Sequence, residues 1–174
     1  MKFTIEKSIE IIERTPKVLL TLLKDLSSEW TEFNEGENTW TAKEIIAHLI
    51  ICEQTDWIPR ARIILSDNIN KTFVPLDMAA HFELATTNSL DQLLMDFQSL
   101  RRQSIGELLG YNLSDDDYTR TAMHPKIGEV NLAQLIATWV THDLAHIAQI
   151  ARVIAKQNAA LVGPFKDFLK ILNQ

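Results

Sequence analysis

His142 and His146 lie in the segment Trp139-Val-Thr-His142-Asp143-Leu-Ala-His146-Ile-Ala-Gln149. On an α-helix, residues four apart sit about 40° apart around the axis and about 6 Å apart along it, so both imidazoles can converge on one point. The surrounding apolar rhythm runs Leu135, Trp139, His142, His146, Gln149, Val153. Its alternating steps of four and three mark the inward seam of a bundle helix. A buried imidazole needs partners for its nitrogens. Hydrogen bonding within the core is the ordinary solution, and a metal ion is another. A third histidine on another helix seam, His48, weighs toward the metal.

The elements that must position these rings follow from the pattern. Residues 3–27 read as one helical element kinked at Thr15-Pro16, because Ile5, Ile9, Ile12, Leu19, Leu23 and Leu26 keep one register. Residues 28–40, with Asn34, Gly36 and Asn38, read as a loop. Thr41 and Glu44 have capping-box spacing and start a helix to about residue 65, bent near Pro59, with Ile45, His48 or Leu49, Cys52 and Thr55 or Asp56 on its seam. Residues 66–88 form a long crossover with a short helical turn near 77–84, and His81 within it reads as a surface histidine. Ser89 and Gln92 cap the next helix, 90–109, with a stop at Gly110. Residues 111–130 read as a second loop. Its consecutive Asp115, Asp116 and Asp117 lack the alternating ligands and central glycine of an EF-hand. Asn131 caps the helix carrying the histidine pair, and 162–171 read as a short amphipathic helix closing the bundle. The expectation is an all-α protein, a four-helix bundle with a long crossover and a short C-terminal helix, forming one domain over 1–174.

Composition limits the function. With 46% hydrophobic and 23% charged residues, 174 residues are enough for one domain with its own core. The net charge of −6 and the lack of a basic stripe argue against a nucleic-acid partner. The single cysteine, Cys52, excludes an intramolecular disulfide framework and fits a cytoplasmic location. The N-terminal stretch has no apolar core of a signal peptide, and no run is long enough to span a bilayer, so no membrane partner is expected.

If the two histidine-bearing helices are neighbours, His48, His142 and His146 form a three-imidazole site. Neutral imidazole suits Zn²⁺, Ni²⁺, Fe²⁺ or Cu²⁺; zinc or nickel is the expected ion, ahead of iron or manganese. Three protein ligands leave a coordination position open, which is the pattern of catalytic rather than structural zinc. Such an ion can activate a water for hydrolysis or hold a thiolate.

The segments Trp40-Thr-Ala-Lys-Glu-Ile-Ile-Ala-His48-Leu-Ile-x-x-Glu53-x-x-Asp-Trp57 and His124-Pro-x-x-Gly128-x-Val-x-Leu…Trp139-x-x-His142-Asp143-Leu-x-His146-x-x-Gln149-Ile resemble the DinB family of four-helix bundles. The closing Val162-Gly-Pro-Phe fits as well, and the resemblance spans most of the chain. It implies an up-up-down-down bundle, frequent homodimers, and a divalent metal held at His48, His142 and His146. Characterised members and relatives include thiol S-transferases and a thiol-dependent isomerase that use bacillithiol or mycothiol. Others are called metal-dependent hydrolases.

Supporting residues read less sharply. Glu53 and Asp143 are catalytic candidates that could equally pair with a neighbouring helix or orient a histidine. Cys52 is a ligand only as thiolate and otherwise a small buried hydrophobe. Gln149 could bond a metal-held water or simply fill a polar seam position. His124, Trp57 and Trp139 are candidates for lining a substrate pocket. Arg60, Arg62, Arg101 and Arg102 could bind an acidic thiol cosubstrate, although arginines on bundle helices ordinarily pair with carboxylates or face water. The expected function is a divalent-metal enzyme of small molecules, either a low-molecular-weight-thiol S-transferase or a hydrolase. The alternative is a non-catalytic metal- or ligand-binding dimeric stress-response bundle.

Overall fold

The computed structural model describes residues 3–173; residues 1, 2 and 174 of the single-domain reading lie outside them. Four rods make the bundle. The first is α1 (Ile5–Ile12) followed by α2 (Thr15–Leu23). Glu13 and Arg14 between them keep right-handed helical dihedrals. The Thr15 hydroxyl donates to the Ile11 carbonyl, so the element kinks rather than restarts. It ends at Leu23, short of the expected 27. A short helix, α3 (Ser28–Thr31), then interrupts the expected loop.

The second rod is α4 (Ala42–Thr55) and α5 (Trp57–Leu65). The Thr41–Glu44 capping box is formed in both directions. The break falls at Asp56, one turn before Pro59, because a proline ring clashes with the carbonyl four residues back, here that of Thr55. The crossover carries α6 (Ala80–Thr87), which packs on α4. The third rod is α7 (Leu90–Gly110). Its left-handed stop is Asn112 rather than Gly110.

Where a plain loop was expected over 111–130, the chain forms a hairpin of β1 (Thr121–His124) and β2 (Gly128–Asn131). Ala122 faces the core and pairs with Val130. Gly128, at φ 85, closes the turn after Pro125 in a conformation that a side chain would strain. The fourth rod is α8 (Leu132–Lys156), opened by an Asn131–Gln134 capping box. The tail does not form the expected amphipathic helix. It makes 3₁₀ turns over Gly163–Phe168 and Lys170–Leu172, leaving Phe165 and Phe168 exposed and only Leu172 buried.

Side-chain pairs fix the direction of each rod. Lys43 faces Ser89 and Leu90 across one groove, and Arg62 pairs with Glu107 farther along, so the second and third rods run the same way. His48 meets His142 and His146, while Trp57 stacks on Trp139, so the second and fourth run opposite. Residues of α1 share a groove with Ala137, Val140 and Thr141 near the start of α8, making the first and fourth parallel. The order is therefore up-down-down-up, correcting the expected up-up-down-down. Residues 24–41 turn back at one end, so the second rod runs opposite to the first. The longer crossover returns along α4 through α6, so α7 starts beside the start of α4.

The core has two clusters. One gathers Leu19, Leu23, Ile45, Ile46, Leu49, Leu93, Phe97, Ile150 and Val153. The other gathers Ile12, Trp57, Ile64, Leu108, Leu132, Ile136 and Trp139. Among the described residues, no helix is long and apolar enough to cross a membrane.

Candidate metal centre

The buried stripe of α8 runs through Leu132, Leu135, Ile136, Trp139, Asp143, Ile150 and Val153. Asp143, rather than His142, is its innermost residue at this level. This rotation leaves His142 and His146 on the shoulder of the stripe, half-buried and turned toward α4. α4 is buried on nearly every side and presents His48 to them.

Three ring nitrogens converge. His142 Nε2 lies 3.2 Å from His48 Nε2 and 3.1 Å from His146 Nε2. One ligand atom from each of the three rings fits within a 4.8 Å cluster. Two nitrogens bound tetrahedrally to zinc at about 2.0–2.1 Å would stand about 3.4 Å apart, so the spacing fits a shared cation. His146 Nδ1 meets Gln149 Oε1 at 2.8 Å. An amide oxygen only accepts, so Nδ1 carries the hydrogen and Nε2 keeps its lone pair. Burial holds all three rings below the usual histidine range, reinforced for His48 and His142 by the neighbouring imidazoles. His48 falls to about 4 and His142 to about 3. All three are therefore neutral near pH 7, as metal ligands must be.

Beneath the cluster lies a fully buried guanidinium. Arg101, 1% exposed, donates through Nε to Glu53 Oε1 at 2.9 Å and forks onto Asp143 at 2.5 and 3.0 Å. It also donates to the Ile12 carbonyl at 2.8 Å and lies 5.0 Å from the centre of the Trp139 ring. Arg101 thus engages both oxygens of the candidate Asp143 and one, Oε1, of the candidate Glu53, whose Oε2 is buried without a hydrogen-bond partner. Burial pushes the Glu53 carboxyl up, against the pull of Arg101. Arg101 itself is neither a cosubstrate site nor solvent-facing. Arg62 pairs with Glu107 at the surface, and Arg102 is exposed.

Cys52 Sγ lies 3.5 Å from His48 Nε2 and is fully buried. Burial, with Asp56 and Glu53 nearby, pushes the thiol far up, so it is protonated. The small buried hydrophobe is the reading this favours.

A cavity of about 180 Å³ adjoins His142, lined also by Asp56, Trp57, Arg60, Phe73 and His124. The structure puts His124 and Trp57 at this cavity. Trp139 instead lies in the core, stacked on Trp57 with centroids 5.5 Å apart. His124 Nδ1 accepts from the backbone N–H groups of Lys126 and Ile127, so its hydrogen sits on Nε2. Arg60 forms a close ion pair with Asp56, whose carboxyl burial pushes up to about 6. Sequence reasoning left Arg60 as either an anion-binding residue or the partner of a carboxylate, and Asp56 as a possible seam position; the structure pairs the two.

His81 reverses its expected surface position. It is 1% exposed, its ring centroid 4.3 Å from that of Trp40 and 5.8 Å from that of His48.

A model of the DinB superfamily matches residues 11–150. The chain belongs to the DinB superfamily. A protein of Bacillus mycoides (strain KBAB4), named "putative metal-dependent hydrolase", is 26% identical over 155 residues, covering 88% of this chain and 87% of its own. A Bacillus anthracis (strain A0248) protein of the same name shows the same identity and coverage. Among solved structures, YfiT from Bacillus subtilis is similar with a TM-score of 0.75 at 20% identity, covering 88% of this chain and 87% of that one. It is described as "a probable metal-dependent hydrolase with an unusual four-helix bundle topology". TT2238, a four-helix bundle protein, is similar with a TM-score of 0.58 at 20% identity over 85% of this chain and 98% of its own. These two likenesses establish the fold, the four-helix bundle.

Proposed function

We propose that His48, His142 and His146 hold one divalent cation, zinc or nickel first, and that the chain is a metal-dependent hydrolase of small molecules. The observation that carries this is the meeting of three neutral imidazole nitrogens, two pairs of them 3.1–3.2 Å apart. Without a cation, the three Nε2 atoms direct lone pairs at one another unless protons intervene, and burial opposes added protons. When bound, the ion supplies a Lewis acid and a nucleophile at neutral pH.

The chain's own residues define the rest. Gln149 fixes the tautomer of His146. Trp57 stands edge-on to His142, with centroids 5.1 Å apart, and walls the small cavity. Phe73, Trp57 and Leu135 give that cavity an apolar lining, while the His124 Nε2–H and the Asp56–Arg60 pair supply polar groups. This composition suits a compact substrate with an apolar body and a carbonyl or similar acceptor. It supports hydrolysis from the site side, as the names of the relatives do from the sequence side. Transfer to a low-molecular-weight thiol is the competing chemistry, and no cavity residue selects a thiol.

The test is a comparison on one metal-loaded preparation. Small esters and amides are offered in one series, and bacillithiol or mycothiol with an electrophile in the other. Hydrolysis that is lost in His142→Ala supports the proposal. Turnover confined to the thiol series would replace hydrolysis with transfer, and silence in both would favour a binding protein.

A further inference from the structure

The cavity beside His142 is lined by polar groups that the fold leaves unused. Among the described residues, seven buried side-chain N or O atoms have no hydrogen-bond partner. Four of them, Asp56 Oδ1, Trp57 Nε1, Arg60 Nε and His142 Nδ1, belong to residues lining this one cavity. Buried polar groups are ordinarily hydrogen-bonded, so such a concentration marks a place that another molecule completes.

Three of the four are donors. Trp57 Nε1 and Arg60 Nε always carry hydrogen, and His142 Nδ1 carries the hydrogen of the neutral ring when Nε2 faces a cation. His124, also in the lining, adds Nε2–H, because its Nδ1 accepts from the backbone N–H groups of Lys126 and Ile127 at 3.1 and 3.4 Å. Against these donors the lining sets one carboxylate, Asp56.

Arg60 differs from the other paired arginines. Arg62, Arg101 and Arg152 each fork onto a carboxylate through two N–H groups. The Arg60 side chain is only 13% exposed, yet it makes no hydrogen bond among the described residues. Asp56 touches it at Nε without hydrogen-bond alignment, which leaves the Nη fork unclaimed. The guanidinium carbon lies 5.1 Å from the centre of the Phe73 ring, and His124 stands edge-on to the same ring with centroids 6.1 Å apart. A planar guanidinium fork matches the two oxygens of a carboxylate. Phe73, Val130 and Leu135 add apolar wall, and about 180 Å³ limits the occupant to a compact body. Asp56 already offsets one positive charge, so a monoanion suits this place better than a phosphate dianion.

Resting on the hydrolase reading above, we infer that this cavity is a carboxylate subsite. Arg60, with the His124 Nε2–H, holds the free acid group of a compact, apolar-bodied ester or amide, and the same cavity reaches the metal ligand His142.

Binding tests this without turnover. The zinc-loaded protein is titrated by calorimetry with isovalerate, and separately with isovaleramide, its neutral counterpart of nearly the same shape. Isovalerate should bind at least tenfold more tightly than the amide. Arg60→Met should weaken isovalerate at least tenfold, the scale of hydrogen bonds to a charged group, and leave isovaleramide within threefold of wild type. Equal affinity for acid and amide overturns the inference. So does an isovalerate affinity in Arg60→Met within twofold of wild type, because the acid would then lie on the cation instead. Should Arg60→Met fail to fold, ¹H–¹⁵N NMR of the arginine side chains on the unaltered chain decides. The Arg60 guanidinium signal should shift on saturation with isovalerate, and an unmoved signal overturns the inference. Lack of ester or amide turnover would defeat the hydrolase reading and leave these titrations standing, so the two failures are distinct.

Discussion

Replacing Arg101 with methionine tests the buried charge cluster most severely. The change keeps an unbranched apolar stem and deletes the guanidinium. Glu53 and Asp143 are then left buried without their cation, and the Ile12 carbonyl loses its donor. Breaking a buried ion pair from one side costs about 3–5 kcal/mol. Against a total stability of about 5–15 kcal/mol, that is a large share. The assay is urea unfolding of the metal-free protein at pH 7.5, which keeps metal binding from masking the loss. Adding Glu53→Gln and Asp143→Asn to the same chain removes the stranded charges and should recover at least half the loss. The pH dependence has a definite sign. Glu53 is already pushed up by burial, and in Arg101→Met it loses the group that opposes this. The folded state then binds a proton the unfolded state has released, so the deficit relative to wild type narrows as pH falls from 7.5 to 5.5. A loss under about 1 kcal/mol, or a deficit that widens on acidification, would refute the reasoning.

Two further outcomes follow from the same geometry. Gln149→Leu removes the acceptor that orients His146 and should weaken metal affinity about 10–100-fold in a chelator competition; a change within threefold means Gln149 does not tune the site. In the metal-free protein, His48 and His142 stay neutral when folded but take up protons near 6.5 when unfolded, so stability should fall as pH drops below 6.5 toward their folded values of about 4 and about 3. For His48 alone the span is worth about 3 kcal/mol, read from urea midpoints between pH 7 and 4, and an unchanged slope in His48→Leu would contradict it.

The three histidines were legible in the sequence because a periodic helix fixes which side chains share a face. His142 and His146 needed only their spacing, and His48 needed only the seam of its own helix. The capping residues Thr41, Ser89 and Asn131 fixed helix starts for the same local reason. What failed depended on distant packing. His81 is buried because α6 docks on α4, an event that its short helix does not announce. The pairing of Arg101 with Glu53 and Asp143 joins three rods, and no periodicity within one of them reveals it. The hairpin over 121–131 is short and mixes polar with apolar residues, so its alternation is faint. Rod direction depends on where the crossover ends, and the exposed Phe165 and Phe168 show that an amphipathic pattern does not guarantee a surface to cover it.

The central claim is that one cation belongs to His48, His142 and His146 together. Elemental mass spectrometry on protein purified without an affinity tag, beside His142→Ala with helicity checked by circular dichroism, tests it directly. One equivalent of zinc or nickel per wild-type chain, lost in the variant, is the expected result. A wild-type chain without metal, or a folded variant with undiminished metal, would contradict it.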